Sequence, residues 1–386
     1  MNHRSLLDPR ARSACAVLAV LGAAAFLIGL KAAPQRALAG LLLGNVYFLM
    51  LSITALVFIA ISNLAGAGWP VLFRRVPEAM TSYLPAGALG MLIVLLGAHS
   101  LYHWAHPAAA VHDLLLHAKA GYLNLPFWAV RAVLILSLWS AFARALLKNS
   151  RLQDADGDVA RTHKNKRLSA VFMVVFGATF TLASIDWIMS LEPHWYSTMF
   201  PWYMFGGAFL HALAAIALLT VLLNQRGFFT PFNEHHRHDL GKYVFSFGIF
   251  WAYLWFCQFL LIWYANIPEE ISYYALRSSR GWMAVQALSL LANFIVPSAL
   301  LLRIASKKDE RILIAACLSV CAGRGLDLYV MVMPSLSGAA RPHWLDLPIF
   351  LGLAGVFILL FDRAFAAAPA VPEKDPYLVE SLHHHG

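Results

Sequence analysis

Residues 37–62 read ALAGLLLGNVYFLMLSITALVFIAIS, 26 positions without one charged side chain. As an α-helix rising 1.5 Å per residue, the run measures roughly 39 Å, more than the ~30 Å hydrocarbon core of a bilayer. Apolar runs of this kind recur along the chain. We place ten candidate spans near residues 13–30, 37–62, 82–104, 125–147, 168–191, 198–223, 243–266, 282–302, 312–333 and 346–365. The segment between the second and third, with Trp69-Pro70 and Arg74-Arg75, reads as an interfacial turn.

Composition agrees with the runs. Of 386 residues, 60% are hydrophobic and 13% are Asp, Glu, Lys or Arg, and the mean hydropathy is +0.65. A soluble domain covers its surface with about 25% charged residues. The composition therefore excludes a soluble globular enzyme, a disordered chain and a disulfide-rich secreted domain. It predicts an all-α integral membrane protein of about ten transmembrane helices. The net charge is +9. No Lys/Arg block with interleaved aromatics is present, so the charge points to membrane topology and not to nucleic acid. Arg4, Arg10 and Arg12 precede an apolar run, and Ala37-Leu38-Ala39 resembles a leader cleavage site. The run is long for a leader and another span follows at once, so we read a retained first helix.

Cytoplasmic loops of membrane proteins are enriched in Lys and Arg. With ten spans, loops on the N-terminal side hold 20 of the 29 Lys and Arg, the opposite loops hold 6, and Arg131, Arg144 and Arg324 fall inside spans. Both termini are therefore expected in the cytoplasm. The polar stretch 149–167 reads as a solvated cytoplasmic loop. It divides an N-terminal half of four spans (1–148) from a C-terminal half of six (168–365), and a cytoplasmic tail follows (366–386).

The four cysteines, Cys15, Cys257, Cys317 and Cys321, lie in apolar runs. They form no C-x-x-C and no C-x-x-C-H, so neither an iron–sulfur cluster nor a covalent haem is expected on this chain. The informative residues are the polar ones inside the spans, because an ionisable group in hydrocarbon costs several kcal/mol and usually faces a bundle interior. His99, His103, Arg131, Asp186, Gln258, Arg324 and Asp327 all map to the outer half, from five helices. Arg131 with Asp186, and Arg324 with Asp327, fit two readings: ion pairs holding helices together, or members of a proton path. His99 and His103, four apart, share a helix face, but no H-E-x-x-H motif is present. His211 is the only histidine deep on another span and reads as a hydrogen-bonded core residue or a proton carrier. Residues 245–263 are aromatic on all sides, and Trp251, Tyr253 and Gln258 there are candidate lining residues for a quinone or lipid-tail groove. Trp and Tyr at the span ends read as an interfacial belt.

Two stretches stand out together. One is SIDWIMSLEPHWYST (184–198). The other is DLGK (239–242) with FWAYLWF (250–256) and WYANIPEE (263–270). They resemble the F-type membrane subunit of bacterial alternative complex III, a quinol:cytochrome c oxidoreductase, within the polysulfide reductase/nitrite reductase D-like membrane subunit family. The one departure is Pro201, where the resemblance implies glycine.

The resemblance implies two four-helix bundles flanked by single helices, in the bacterial inner membrane. It implies partners: a multihaem cytochrome c subunit, an iron–sulfur subunit and a sister C-type membrane subunit. It implies that c-type haems and iron–sulfur clusters sit on those subunits, that this chain binds no redox cofactor, and that quinol is the substrate of the complex. Asp186, Lys242, Glu269 and Glu270 fall within the matching motifs. With His99, His103, Asp327 and His211 they form the proton-pathway candidates, and Arg131 and Arg324 are their charge partners. A stand-alone secondary transporter and a purely structural membrane scaffold are the rival readings.

Overall fold

The computed structural model describes residues 6–106, 113–229 and 231–385. Among them there is no strand, and ten helices are long and apolar enough to cross a membrane: α1 (Pro9–Ala32), α2 (Pro34–Ala65), α3 (Val71–Leu96), α4 (Leu125–Asp156), α5 (Val159–Leu191), α6 (Phe200–Gln225), α7 (Glu234–Ala265), α8 (Trp282–Leu300), α9 (Glu310–Val332) and α10 (Asp346–Ala366). The chain is an all-α integral membrane protein of about ten spans. Helices are the local answer because hydrocarbon offers no partner for backbone N–H and C=O groups. Polar residues close the ends that meet water. Asn124 caps α4, Asp158 caps α5, Asp309 caps α9, and Asn233 with His236 forms a reciprocal cap on α7. Pro201 lies in the first turn of α6, where a missing N–H costs nothing.

Three expectations are corrected. The 149–167 connector is not a loop. α4 and α5 run through it and reverse at Gly157, whose φ of +69° suits glycine. Asn149–Asn165 and Gln153–Thr162 hydrogen bonds zip the two extensions together. The Lys, Arg, Gln and Asp side chains there leave the membrane without leaving the helix.

Second, α3 stops at Leu96, before the expected 104. Gly97 ends it, and a broken turn over 98–105 carries His99, Tyr102 and His103.

Third, the halves are not divided at 149–167. α2, α3, α4 and α5 close one four-helix bundle, and α6, α7, α8 and α9 close the other, so the spatial boundary falls between α5 and α6. The first and last spans do not flank the bundles singly. α1 and α10 pack on each other and together against α2. α2 and α6, the two most enclosed spans, touch along the seam between the bundles.

Glycines explain the α1–α10 pair. A Cβ on Gly22 would lie 2.5 Å from the Gly352 Cα, and one on Gly355 would lie 2.5 Å from the Cys15 carbonyl oxygen. Close backbone approach through small residues is how helices gain dispersion contact where lipid removes the hydrophobic driving force. Arg12–Asp362 at one end (2.8 Å) and Arg36–Asp346 at the other pin the pair to each other and to α2.

We call the face carrying the basic loops the inner face. The first and last described residues lie there, since the Leu7 amide donates to Asp362 (3.1 Å) at the end of α10 and His384 bonds Asp239 at the start of α7. The tail beyond α10 lies across this face. Asp375 pairs with Arg74, Lys374 donates to the Ala155 carbonyl, and the Ser381 hydroxyl donates to the Trp69 carbonyl (2.7 Å). His384 bonds Asp239 at the start of α7 (2.8 Å). The tail thus ties one bundle to the other.

Gly352→Leu should separate α1 from α10 and cost about 1–3 kcal/mol, as overpacking does. A lowered unfolding midpoint of the purified chain checks this, and an unchanged midpoint would mean that the glycine contact is idle.

Candidate functional site: two buried arginine–carboxylate centres

Each bundle holds one arginine–carboxylate centre toward its outer end. In the first, Arg131 of α4 grips Asp186 of α5 with two parallel bonds, Nε to Oδ2 at 2.7 Å and Nη2 to Oδ1 at 3.0 Å. Asp186 is fully enclosed. The guanidinium also donates to the Tyr122 carbonyl (3.1 Å) and lies 3.9 Å from the centre of the Tyr122 ring and 4.2 Å from that of Phe127. Around the pair, Trp128 and Ser190 donate to the Asp186 carbonyl, and Tyr102 donates to that of Trp187. Every polar atom of this arginine–carboxylate fork has a charged or hydrogen-bonded neighbour, the arrangement that gives a buried pair its strongest geometry.

The second centre is built differently. Arg324 and Asp327, one turn apart on α9, pair at 2.5 Å, and the other Asp327 oxygen accepts the Tyr203 hydroxyl of α6. Room for the guanidinium comes from Gly207, where a Cβ would sit 2.5 Å from Arg324 Nη1. Trp251 packs beside Tyr203.

Asp327 also faces a small, partly open polar cavity of about 20 Å³, shared with Gln258, Ser289, Tyr273 and Arg277. That volume suffices for one water molecule. The Gln258 Oε1 is unpartnered among the described residues. Arg277 closes the cavity from the outer-face helix Pro268–Ser278 and pairs with Glu192 (2.6 Å) just outside α5. It also donates to the Val330 and Met331 carbonyls and stacks 3.4 Å over Tyr273. Burial holds the Tyr273 hydroxyl well above the ordinary tyrosine range. Burial works against the charge of the Arg277 guanidinium, and the Glu192 carboxylate outweighs it and keeps the group charged. From inside outward the polar groups therefore run Arg324, Asp327, the cavity, Arg277, Glu192.

α8 bends around this cavity. Pro297 lacks an N–H and crowds the carbonyl of residue 293. The chain answers with a π-helical turn over Leu291–Ile295, and Ser289, one turn before its middle, lines the cavity. Asn293 fills the widened turn, against Gly323 of α9.

The other candidates scatter. His211 is buried with its ring 4.2 Å from that of Tyr47, and its Nδ1 has no hydrogen-bond partner among the described residues. It is a core residue, but not a hydrogen-bonded one at that nitrogen. His99 and His103 are exposed; Tyr102 between them is the residue that turns inward. Glu269 and Glu270 sit in the first turn of the Pro268–Ser278 helix, where they face its dipole and not a bundle interior. Lys242 pairs with Asp239 (2.5 Å) at the inner face, beneath the tail. Tyr253 lies on the exposed side of α7, so it lines no interior groove. The side chains of α7 alternate between bundle and lipid, which an all-round aromatic stretch conceals.

Sequence reasoning missed three polar clusters. Arg277 was counted among loop charges, although its spacing from Tyr273 places both on one helical face. Arg75, also read as a loop residue, is buried at the inner end of α3, where it pairs with Glu78 and Asp154 and donates to Ser150 (3.0 Å). Arg36, Asp346 and Tyr329 form the third, at the outer end of an apolar groove of about 390 Å³ between α2, α8, α9 and α10. Gly40, Ala322 and Gly325 open that groove by being small.

A scan against protein-family models and a search of curated proteins found no match for this chain.

Breaking a buried pair by removing one member costs about 3–5 kcal/mol, whereas replacing both members is often neutral. Arg131→Met alone should therefore destabilise the chain by about that amount, and Arg131→Met with Asp186→Leu should recover most of it. Denaturation of the purified variants reads both, and a double variant no better than the single would show that the pair is not acting as a clamp.

Proposed function

We propose that this chain is a membrane subunit of a bacterial respiratory quinol:cytochrome c oxidoreductase, seated in the cytoplasmic membrane with its inner face toward the cytoplasm. It contributes a proton path through its second bundle and a quinone-facing surface beside α2 and α10. The redox groups of such a complex, c-type haems and iron–sulfur clusters, belong to its other subunits, and a sister membrane subunit completes it. The reading rests on the two sequence stretches described above.

One structural observation supports the proton role: a carboxylate buried in an apolar bundle, bordering a water-sized polar cavity that leads to an outer-face carboxylate. A group that can both take and release a proton is what a relay needs, and Asp327 and Glu192 are such groups. Arg324 favours the ionised form of Asp327 through its charge, while burial opposes it. The two influences compete over one carboxyl group, the condition for a change of protonation during turnover.

The groove supports the surface role. Its walls are apolar along their length, and its outer end carries the Tyr329 hydroxyl and the Asp346 carboxylate. A prenyl chain fits the walls. A quinol head at the polar end would meet the Tyr329 hydroxyl and the Arg36–Asp346 pair as hydrogen-bond partners. Arg131 and Asp186 act on this reading as the clamp of the first bundle.

A gentle-detergent purification of the chain, read by mass spectrometry and a reduced-minus-oxidised haem spectrum, tests the assignment. A multihaem cytochrome c and an iron–sulfur subunit in fixed ratio with the chain are expected. A chain that comes out alone and colourless, where other respiratory complexes stay whole, overturns it in favour of a transporter. In the intact complex, Asp327→Asn should lower quinol:cytochrome c turnover by roughly 100-fold, as loss of a positioned proton carrier does. Asp327→Glu should restore part of it. Unchanged turnover in Asp327→Asn would leave the second centre a structural pair and the subunit a scaffold.

A further inference from the structure

A second groove lies in the first bundle, between α3 and α4, with a volume of about 380 Å³. Pro85, Ala88 and Leu92 form one wall, spaced three and four apart on one face of α3. Val133, Ser140 and Arg144 mark the other, spaced seven and four apart along α4. Pro85 and Arg144 lie at its inner end, Leu92 and Val133 at its outer end. Eleven helical steps separate Val133 from Arg144, roughly 16 Å. That is about one leaflet, half of the ~30 Å hydrocarbon core.

The charge at the inner end has no protein answer. Arg144 is exposed, and Lys148 and Arg151 follow it at helical spacings of four and three, also exposed. None of the three has a carboxylate or hydrogen-bond partner among the described residues. On the same face Arg74, Arg75, Arg237 and Lys308 are answered within the chain, by Asp375, Glu78, Glu310 and Glu234. Lys164, Lys166, Arg167, Arg303, Arg311 and Arg363 are not answered among the described residues, but none of these lines the α3–α4 groove. Three unanswered cations above a one-leaflet slot, lined mainly by aliphatic side chains with Ser137 and Ser140 between them, match the shape and charge of an anionic glycerophospholipid.

We propose that the α3–α4 groove binds such a lipid from the inner leaflet, its phosphate on Arg144, with Lys148 and Arg151 toward the rest of the headgroup, and one acyl chain in the slot. The site is independent of the quinone-facing groove, which opens on other helices and has its polar end at the outer face.

The test is native mass spectrometry of the delipidated full-length chain, titrated with dioleoyl phosphatidylglycerol or dioleoyl phosphatidylcholine. Each basic residue near a headgroup contributes roughly fivefold to the binding of an anionic lipid. Phosphatidylglycerol should be retained at least about fivefold better than phosphatidylcholine, and Arg144→Gln should remove about that factor. Ala88→Trp, which fills the slot, should lower retention of both lipids. Should that variant fail to fold, Leu92→Trp at the more open end serves in its place. Equal retention of the two lipids, or an unchanged value in Arg144→Gln, overturns the proposal. Loss in Arg144→Gln with none in the slot-filling variant also overturns it, since the headgroup would then be drawn to surface charge alone. So would a photo-crosslinker at Leu92 that captures a protein helix in place of lipid.

Discussion

A guanidinium enclosed in an apolar bundle has no water to fall back on, and this constraint organises the molecule. Arg75, Arg131, Arg277 and Arg324 are all buried, and each is met by a carboxylate. Removing the carboxylate that meets Arg131, Arg277 or Arg324 would leave a charge whose desolvation nothing offsets, while Arg75 is held by two, Glu78 and Asp154. The pairs therefore dictate which helices can be neighbours: α3 with α4 through Arg75 and Asp154, α4 with α5 through Arg131 and Asp186. Arg277 joins the outer-face helix to the end of α5, and so the second bundle to the first. Apolar packing makes the bundles possible, and ionic pairing selects one arrangement among the many that apolar faces would allow.

The same constraint accounts for what the sequence shows and what it hides. All ten spans are legible, because a run of about 20 apolar residues has few other uses. The pairing of α1 with α10 is not, since Gly22 and Gly352 carry no mark of each other and lie at opposite ends of the chain. Nor is the helical continuation through 149–167. Polarity there reports water, and water tolerates a helix as readily as a loop.

The site divides along the same line. Asp186 with Arg131, and Asp327 with Arg324, were readable as charges out of place. Arg277 and Arg75 were not, because each lies next to a true interface and its burial comes from tertiary folding: a short amphipathic helix laid over the outer end of one bundle, and the first turns of α3 drawn into the inner end of the other. Exposed His99 and His103 show the converse error. A helical period carried past Gly97 places them on a face that the chain, broken there, never forms.

The two centres use the same residue types to different ends. Asp186 gives both oxygens to one arginine in a parallel fork, so a proton arriving there must displace a charge-assisted bond and strand the guanidinium. Asp327 divides its oxygens between Arg324 and the Tyr203 hydroxyl and borders a space the size of one water. The tyrosine can rotate its hydroxyl, and a water in that space could donate or accept, so the hydrogen bonds around Asp327 can re-form in either protonation state. A fork locks its carboxylate, and a divided carboxylate beside a cavity stays free to exchange. That difference, set by Gly207 making room on one side and by the π turn before Pro297 on the other, is why the second bundle and not the first carries the proton path in our reading.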